Sequence, residues 1–266
     1  MKNILLLLVL LSGVSFISPT KSHAQWIQTS GPEGGTIYSF AVSGTNLFAG
    51  TAYGGVFLST NNGTSWAAVN TGLTDSTVFA FAVSGANLFA GTAGGAFRST
   101  DDGTSWTAID SGLTDRYVRA LAVSGTNLFA GTEVGGVFLS TNNGTNWTAV
   151  NSGLTNTYVT SLVVSDTNLF AGTEGGVFLS TDNGISWTGA GLTGGVTSLA
   201  VSGTNLFAST GGEVFVYTDL GGWTATGFTH DYVRALAVSG TNLFAGLHAY
   251  CIDFLGCYGG GDSSFH

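Results

Sequence analysis

A segment Asn-Leu-Phe-Ala that returns along the chain, four short β-type runs inside each return, and no window with a helical apolar period together predict an all-β protein. The architecture they point to is a β-propeller of about six four-stranded blades. The asparagines of the segment stand at 46, 87, 127, 168, 205 and 242, spaced by 41, 40, 41, 37 and 37 residues. A period near 40 marks a repeat architecture. In the third repeat the runs are 118–123, 127–132, 136–140 and 147–150. Each is short, rich in β-branched or aromatic residues, and bounded by turn residues. Runs such as Ala120-Leu121-Ala122-Val123 do not alternate with polar residues, because neighbouring blades cover both faces of a blade. A solenoid, with its period of roughly 20–35 residues, fits less well.

The two ends of the chain read differently from the repeats. Lys2, the apolar run Ile4 to Leu11, and Ser22-His23-Ala24 have the layout of an export signal cleaved after Ala24. Eight apolar residues are too few to cross a bilayer, which takes about 20, so no transmembrane segment is expected. Residues 1–24 are thus assigned to the signal and 25–247 to the propeller, with a secreted, periplasmic or cell-surface location. Five repeats are complete, and a sixth runs from Val233 through Gly246. The stretch Trp26-Ile27-Gln28-Thr29-Ser30-Gly31 matches the fourth-strand pattern of Trp106 to Gly112, so an N-terminal strand is expected to close the ring. Closure removes sheet edges that invite aggregation. Residues 248–266 read either as a divergent last blade or as a truncated repeat, since Leu247 to Cys257 stand in poorly for Gly-Gly-Val-Phe-Leu-Ser. Cys251 and Cys257 lie in this tail and could form a short disulfide in an oxidising compartment.

Beyond the signal there are four arginines, no lysine and fifteen acids, a formal charge of −11. Nucleic acid and anionic membranes both need a basic footprint, so neither is an expected partner. Charged residues make up 8% of the chain against a usual ~25%, and glycine supplies 42 of 266 residues. That is the composition of many short strands joined by tight turns.

The third and fourth runs are joined by a recurrent octapeptide. It reads Ser59 to Trp66 with Asn61 and Gly63, Ser99 to Trp106 with Asp101 and Gly103, Ser140 to Trp147 with Asn142 and Gly144, and Ser180 to Trp187 with Asp182 and Gly184. A degenerate copy holds Asp219, Gly221 and Trp223. Asn-Gly or Asp-Gly favours a hairpin turn because both positions want positive φ. The Asp or Asn two residues earlier can accept backbone N–H bonds across the turn. The tryptophan is expected to lie between blades. Calcium loops need several charged oxygens, and asparagine replaces the acid in two copies, so no metal or cofactor is expected.

This octapeptide resembles the Asp box, Ser-x-Asp-x-Gly-x-Thr-Trp, of the bacterial neuraminidase repeat family. That family includes sialidases, sortilin-like receptors, xyloglucan-cleaving glycosidases and the photosystem II assembly factor. The resemblance implies a propeller; it does not select among enzyme, receptor and chaperone.

Comparison of the repeats separates scaffold from decoration. Ser-Gly-Thr-Asn and the octapeptide barely change, and in an up-and-down blade these two loops share one face. The variable connections lie on the other: Asp75-Ser76-Thr77, Asp115-Arg116-Tyr117, Asn156-Thr157-Tyr158 and His230-Asp231-Tyr232, with Glu133, Glu174 and Glu213. Binding residues concentrate on such loops. Near the start of the innermost strand, equivalent positions hold Tyr38, Phe79, Arg119, Thr160, Thr197 and Arg234. The candidate ligand-binding set is therefore Arg116, Tyr117, Arg119, Glu133, Tyr158, Glu174, Tyr232 and Arg234, a mixture that suits a protein or glycan ligand. An ion pair of Arg119 with Asp115, or of Arg234 with Asp231, is the alternative for the two arginines.

The sialidase resemblance implies an arginine triad, for which Arg116, Arg119 and Arg234 are the available residues. The long pocket-building insertions of that family and its Arg-Ile-Pro motif are missing, and no catalytic residue is assigned. The expected function is a non-catalytic exported binding or scaffold module acting as a monomer, with a sialidase-like glycoside hydrolase as the alternative.

Overall fold

The computed structural model describes residues 31–218, 222–230 and 232–247, and the backbone of 250–252, 256–258 and 263–265. The N-terminal strand expected at 26–31 and the export signal lie outside these residues, Gly31 apart. So do Asp219, Gly221, Asp231 and His248.

Five four-stranded antiparallel sheets follow one another in chain order, each meandering from an inner to an outer strand. The first is β1 (Ile37–Ser43), β2 (Asn46–Thr51), β3 (Val56–Ser59) and β4 (Ala67–Ala68). The second is β5 (Val78–Ser84), β6 (Asn87–Thr92), β7 (Gly95–Ser99) and β8 (Thr107–Ala108). The third is β9 (Val118–Ser124), β10 (Asn127–Thr132), β11 (Val137–Ser140) and β12 (Thr148–Ala149). The fourth is β13 (Val159–Ser165), β14 (Asn168–Thr173), β15 (Gly176–Ser180) and β16 (Thr188–Thr193). The fifth is β17 (Ser198–Ser202), β18 (Asn205–Thr210), β19 (Glu213–Thr218) and β20 (Gly222–Thr229). Inner strands pack in succession, β1 on β5, β5 on β9, and so on to β21 (Val233–Ser239). This is the blade arrangement of a propeller.

The sixth sheet departs from the expected four strands. β21 pairs with β22 (Asn242–Leu247), and the next place is taken by β25 (Ser263–Phe265). The stretch expected to supply that strand instead forms a separate hairpin, β23 (Tyr250–Ile252) with β24 (Gly256–Tyr258), which sets Cys251 opposite Cys257. A second difference lies in the outer strands, which are two residues long in the first three sheets. Their backbone leaves its own sheet early for a neighbour: Trp147 N donates to Ser111 O of the preceding blade at 2.9 Å.

The octapeptide hairpins show why their sequence recurs. Asn62 and Gly63 have φ of 54° and 81°, and the equivalent pairs in the other three copies repeat these values closely. Asn62, Asp102, Asn143 and Asn183 are the residue types that tolerate the left-handed region. The serine that opens the motif closes the turn, since Ser99 Oγ donates to Asp101 Oδ1 at 2.7 Å and accepts from Gly103 N at 2.8 Å. Asp101 Oδ1 also accepts from Ser105 N at 2.9 Å, and Asn61 Oδ1 makes the same bond to Ser65 N. One carbonyl-type oxygen is all the turn needs, so Asp and Asn interchange.

Packing between blades is equally repetitive. Phe48 and Phe129 of the Asn-Leu-Phe-Ala segments are fully buried, each beneath the hairpin glycine of the next blade, Gly103 and Gly184. Val78, Val118 and Val159 open their inner strands at 0% exposure. The indole N–H of Trp106, Trp147, Trp187 and Trp223 donates to Val69, Ile109, Val150 and Ala190 O respectively, always in the preceding blade.

The tryptophan strap therefore has separable parts. Trp147→Phe, which removes the hydrogen bond and part of the ring, is expected to lower unfolding free energy by about 1–2 kcal/mol. Trp147→Ala, which also empties the space between blades, is expected to cost about 3–5 kcal/mol. Urea unfolding of the two variants measures both.

Candidate functional site

The sheet register places the candidate residues more sharply than composition does. In five of the six inner hairpins the pairing skips one residue near the start of the inner strand. The skipped residues are Tyr38, Phe79, Arg119, Thr160 and Arg234. A bulge leaves its extra residue outside the ladder and re-aims its side chain. All five, with Thr197 of the fifth blade, line a central cavity of about 590 Å3. Ile37, Tyr158 and Glu174 share its wall.

The loops before the inner strands are built to hold rings at this rim. Asp115 Oδ1 accepts from Tyr117 N and Asn156 Oδ1 from Tyr158 N, both at 3.1 Å, as Asp75 does for Thr77. These side chain to backbone turns fix where the following residue emerges. Asp115 works harder than its counterparts, since its Oδ2 takes Val134 N at 2.7 Å and Gly135 N at 3.0 Å. Burial raises its pKa, but the Val134, Tyr117 and Gly135 N–H donors outweigh burial and hold the carboxyl below its ordinary range.

Arg119 is the centre of the site. Its guanidinium lies 5.3 Å from the Phe79 ring, 4.9 Å from Tyr117 and 5.1 Å from Tyr158. One terminal nitrogen donates to Glu133 Oε2 at 3.0 Å, and Nε is buried without an acceptor. Cation–π contacts contribute about 0.5–2 kcal/mol each, most where water is excluded. They offset in part what the unpaired Nε costs. The rings continue around the rim, with Phe79 4.9 Å from Tyr117 and 5.2 Å from Tyr38. Burial pushes the Tyr158 hydroxyl above its ordinary pKa; the Arg119 charge opposes the rise, and Glu133 and Glu174 add to it.

Of the candidate set, the fold brings Arg119, Tyr158, Glu174 and Arg234 to the cavity wall, with Tyr117 and Glu133 as direct neighbours of Arg119. Tyr232, at φ 60°, lies 5.9 Å from the Arg234 guanidinium. Arg116 goes elsewhere, to Asp110 at 3.1 Å, with its side chain 64% exposed. The three arginines therefore do not converge. The ion pair considered for Arg119 with Asp115 is also corrected: Asp115 is occupied by backbone donors, and Glu133 takes the arginine. Tyr38 and Phe79 belong to the site although they are absent from the candidate set. Their place in the repeat, equivalent to Arg119, is the signal that identifies them.

A six-sheet propeller in which five blades turn a bulged residue to a central cavity is the class these features define. The chain belongs to the DUF6242 beta propeller domain family, whose model matches residues 33–153 and 124–244. No curated protein sequence matches it. Among solved structures it is similar to an ancestral GH74 enzyme, with TM-score 0.66 and 23% identity, covering 80% of this chain and 35% of that one. It is similar also to the extracellular domain of a protein assigned as a one component system in B. thetaiotaomicron, with TM-score 0.67 and 18% identity, covering 79% and 31%. YCF48 bound to D1 peptide matches with TM-score 0.61 and 17% identity, covering 79% of this chain and 74% of that one. The chain spans about a third of the length of the first two. These likenesses speak to the fold.

The Asp115 geometry sets an acid limit. Its contribution is fully present above the ordinary value of 3.8 and is lost as pH falls through the lower folded value. Asp115→Ala is expected to lose about 1 kcal/mol at pH 7 and to flatten the stability profile below about pH 4. Thermal melts between pH 2 and 7 read both effects.

Proposed function

We propose that the chain is an exported binding module whose central cavity receives a segment of a partner protein. The observation that carries this reading is the Arg119 cluster, a guanidinium held among three rings with its Nε buried and unpaired at the wall of an open cavity. Rings and single charges of both sign, Arg234 and Glu174, suit apolar and charged side chains of a peptide. Sugar hydroxyls would find fewer partners. The Thr160 and Thr197 hydroxyls are already committed to backbone carbonyls, at 2.6 Å to Val196 O and 2.7 Å to Val233 O. The peptide complex of YCF48, which has the same fold, and the extracellular placement of the domain from the B. thetaiotaomicron one component system are in keeping with this reading. The octapeptides resemble Asp boxes, a resemblance that is compatible with a binding propeller and with an enzyme.

A glycosidase reading has a specific observation behind it in the GH74 likeness. Against the sialidase form of that reading stands the pairing of Arg116 with Asp110 and of Arg119 with Glu133.

Selection of a displayed random-peptide library on the immobilised protein tests the proposal. Enriched peptides should bind at least tenfold more weakly to Tyr158→Ala and Arg234→Ala variants whose melting temperatures are unchanged. If no peptide depends on these residues, or a glycan array yields ligands that do, the peptide reading is wrong. Hydrolysis of aryl sialosides or xyloglucan oligosaccharides that is lost in Arg119→Ala would replace it with the enzymatic one.

A further inference from the structure

Three of the four complete octapeptides carry Asn followed by Gly, at Asn62-Gly63, Asn143-Gly144 and Asn183-Gly184; the other carries Asp102-Gly103. Asn-Gly is the pair most open to deamidation, since glycine has no Cβ to shield its nitrogen or restrict rotation. In that reaction the glycine nitrogen loses its proton and attacks Asn Cγ. A C–N bond closes a succinimide ring as the Cγ–Nδ2 bond breaks and ammonia leaves. Water then opens the ring at either carbonyl, giving aspartate or isoaspartate. The attack has two requirements. The nitrogen must lie on the same side of the Cα–C bond as Cβ, and it must be free to give up its proton.

The hairpin withholds both. Asn62, Asn143 and Asn183 have φ of 54°, 55° and 59°. For an L-residue that is the left-handed region, where ψ is about +30 to +60°. There the next nitrogen stands nearly opposite Cβ across the Cα–C bond, and the ring cannot close. The turn holds this conformation, with Thr64 N donating to Asn61 O and Thr145 N to Asn142 O, each at 3.2 Å. The glycine proton is also committed. Gly63 N, Gly144 N and Gly184 N donate to Ser59, Ser140 and Ser180 Oγ at 2.8, 2.8 and 2.7 Å. Those serines are 1% exposed. Each asparagine is exposed and each glycine buried, so the electrophile sits in water and the nucleophile inside. In two hairpins the preceding blade bears on the turn. A Cβ on Gly144 would strike Ile109, and one on Gly184 would meet Val150 and Phe129 at 3.2 and 3.3 Å. The backbone there cannot rotate into the attacking geometry while the blades stay in contact.

We infer that Asn143 and Asn183 are conditional modification sites, inert in the closed propeller and deamidated when their hairpin leaves the preceding blade. Such local opening is a normal excursion of a folded chain; here it acquires a covalent record. The two products differ in consequence. Aspartate is accommodated, because Asp102 holds the same place at φ 53° in the second hairpin, with Gly103 N on Ser99 Oγ. Isoaspartate adds a methylene to the main chain inside a turn whose length the serine bond fixes. The glycine N–H then no longer reaches its serine, and the tryptophan that follows arrives out of place. An opening that ends in isoaspartate is therefore permanent.

Peptide mapping by mass spectrometry during incubation of the full chain at about pH 8 and 37 °C tests this. A synthetic peptide of residues 138–149 serves as the open reference. Asn143 and Asn183 should deamidate at least about tenfold more slowly than the peptide, and urea below the unfolding midpoint should speed both. Ser140→Ala, which removes the acceptor of Gly144 N, should speed Asn143 and leave Asn183 as the unchanged internal control. Ile109→Ala, which frees Gly144 from the preceding blade, should do the same and stands in if the serine variant does not fold. Asn143→Asp should keep the melting temperature, whereas protein carrying isoaspartate at position 143 should melt lower. Folded protein that reacts as fast as the peptide overturns the inference, as does an Asn143 rate indifferent to urea and to both variants. Isoaspartyl protein that melts with the Asn143→Asp variant overturns the permanence of the opening.

Discussion

The bond from the indoles of Trp106, Trp147, Trp187 and Trp223 to a carbonyl of the blade before is the constraint on which the remaining structure depends. A four-stranded meander of this length cannot bury both of its faces alone. Here the outer strand is also too short to satisfy its own backbone, so Trp106 N and Trp147 N turn to Thr71 O and Ser111 O next door. Backbone and indole together fix the height and rotation of one blade on the next. That tolerance explains the close approaches at Gly72, Gly112 and Gly153, where any side chain would strike a tryptophan carbonyl. The hairpin that precedes each tryptophan is built as firmly, through a serine that both donates and accepts, so that the indole arrives at a set place.

A stapled scaffold allows one position to vary freely. The bulge near the start of five of the six inner strands removes a single residue from the ladder and turns it to the centre. Tyr38, Phe79, Arg119, Thr160 and Arg234 share a backbone situation while differing in size, polarity and charge. The site is thus a ring of substitutions on a constant backbone, and no long loop is needed to make it. The rim turns of Asp115 and Asn156 add Tyr117 and Tyr158 to Arg119 by the same economy, one side-chain oxygen for each ring placed.

Much of this is legible in the sequence, and the parts that are not share a cause. The period, the hairpin octapeptides and the division into a constant and a variable face follow from local chemistry, which the chain spells out in Asn-Gly turns and recurrent apolar positions. The bulges do not, because skipping a residue is a property of two paired strands and leaves no residue type of its own. Arg119 reads naturally as a partner for Asp115, four residues away. The backbone N–H groups of Val134 and Gly135 claim that carboxylate from across the blade, and Glu133 arrives instead. The third strand of the last sheet was unreadable for a related reason. Ser-Ser-Phe carries little strand signal, and its position beside β22 comes from pairing.

The charge distribution completes the picture of the central site. Fifteen acids and four arginines beyond residue 24 leave the surface strongly negative, yet two of those arginines line one cavity. Arg119 is not available as a bare cation, since Glu133 and three rings surround it. Its role is to hold the rings apart and upright, in the way a stacked guanidinium packs as much as it attracts. Arg234 is more open, and it lines the same cavity as Arg119 and Glu174. A site so nearly balanced gains little from long-range steering against an acidic surface. On the proposed peptide-binding reading, affinity comes from contact, meaning rings covered and water displaced.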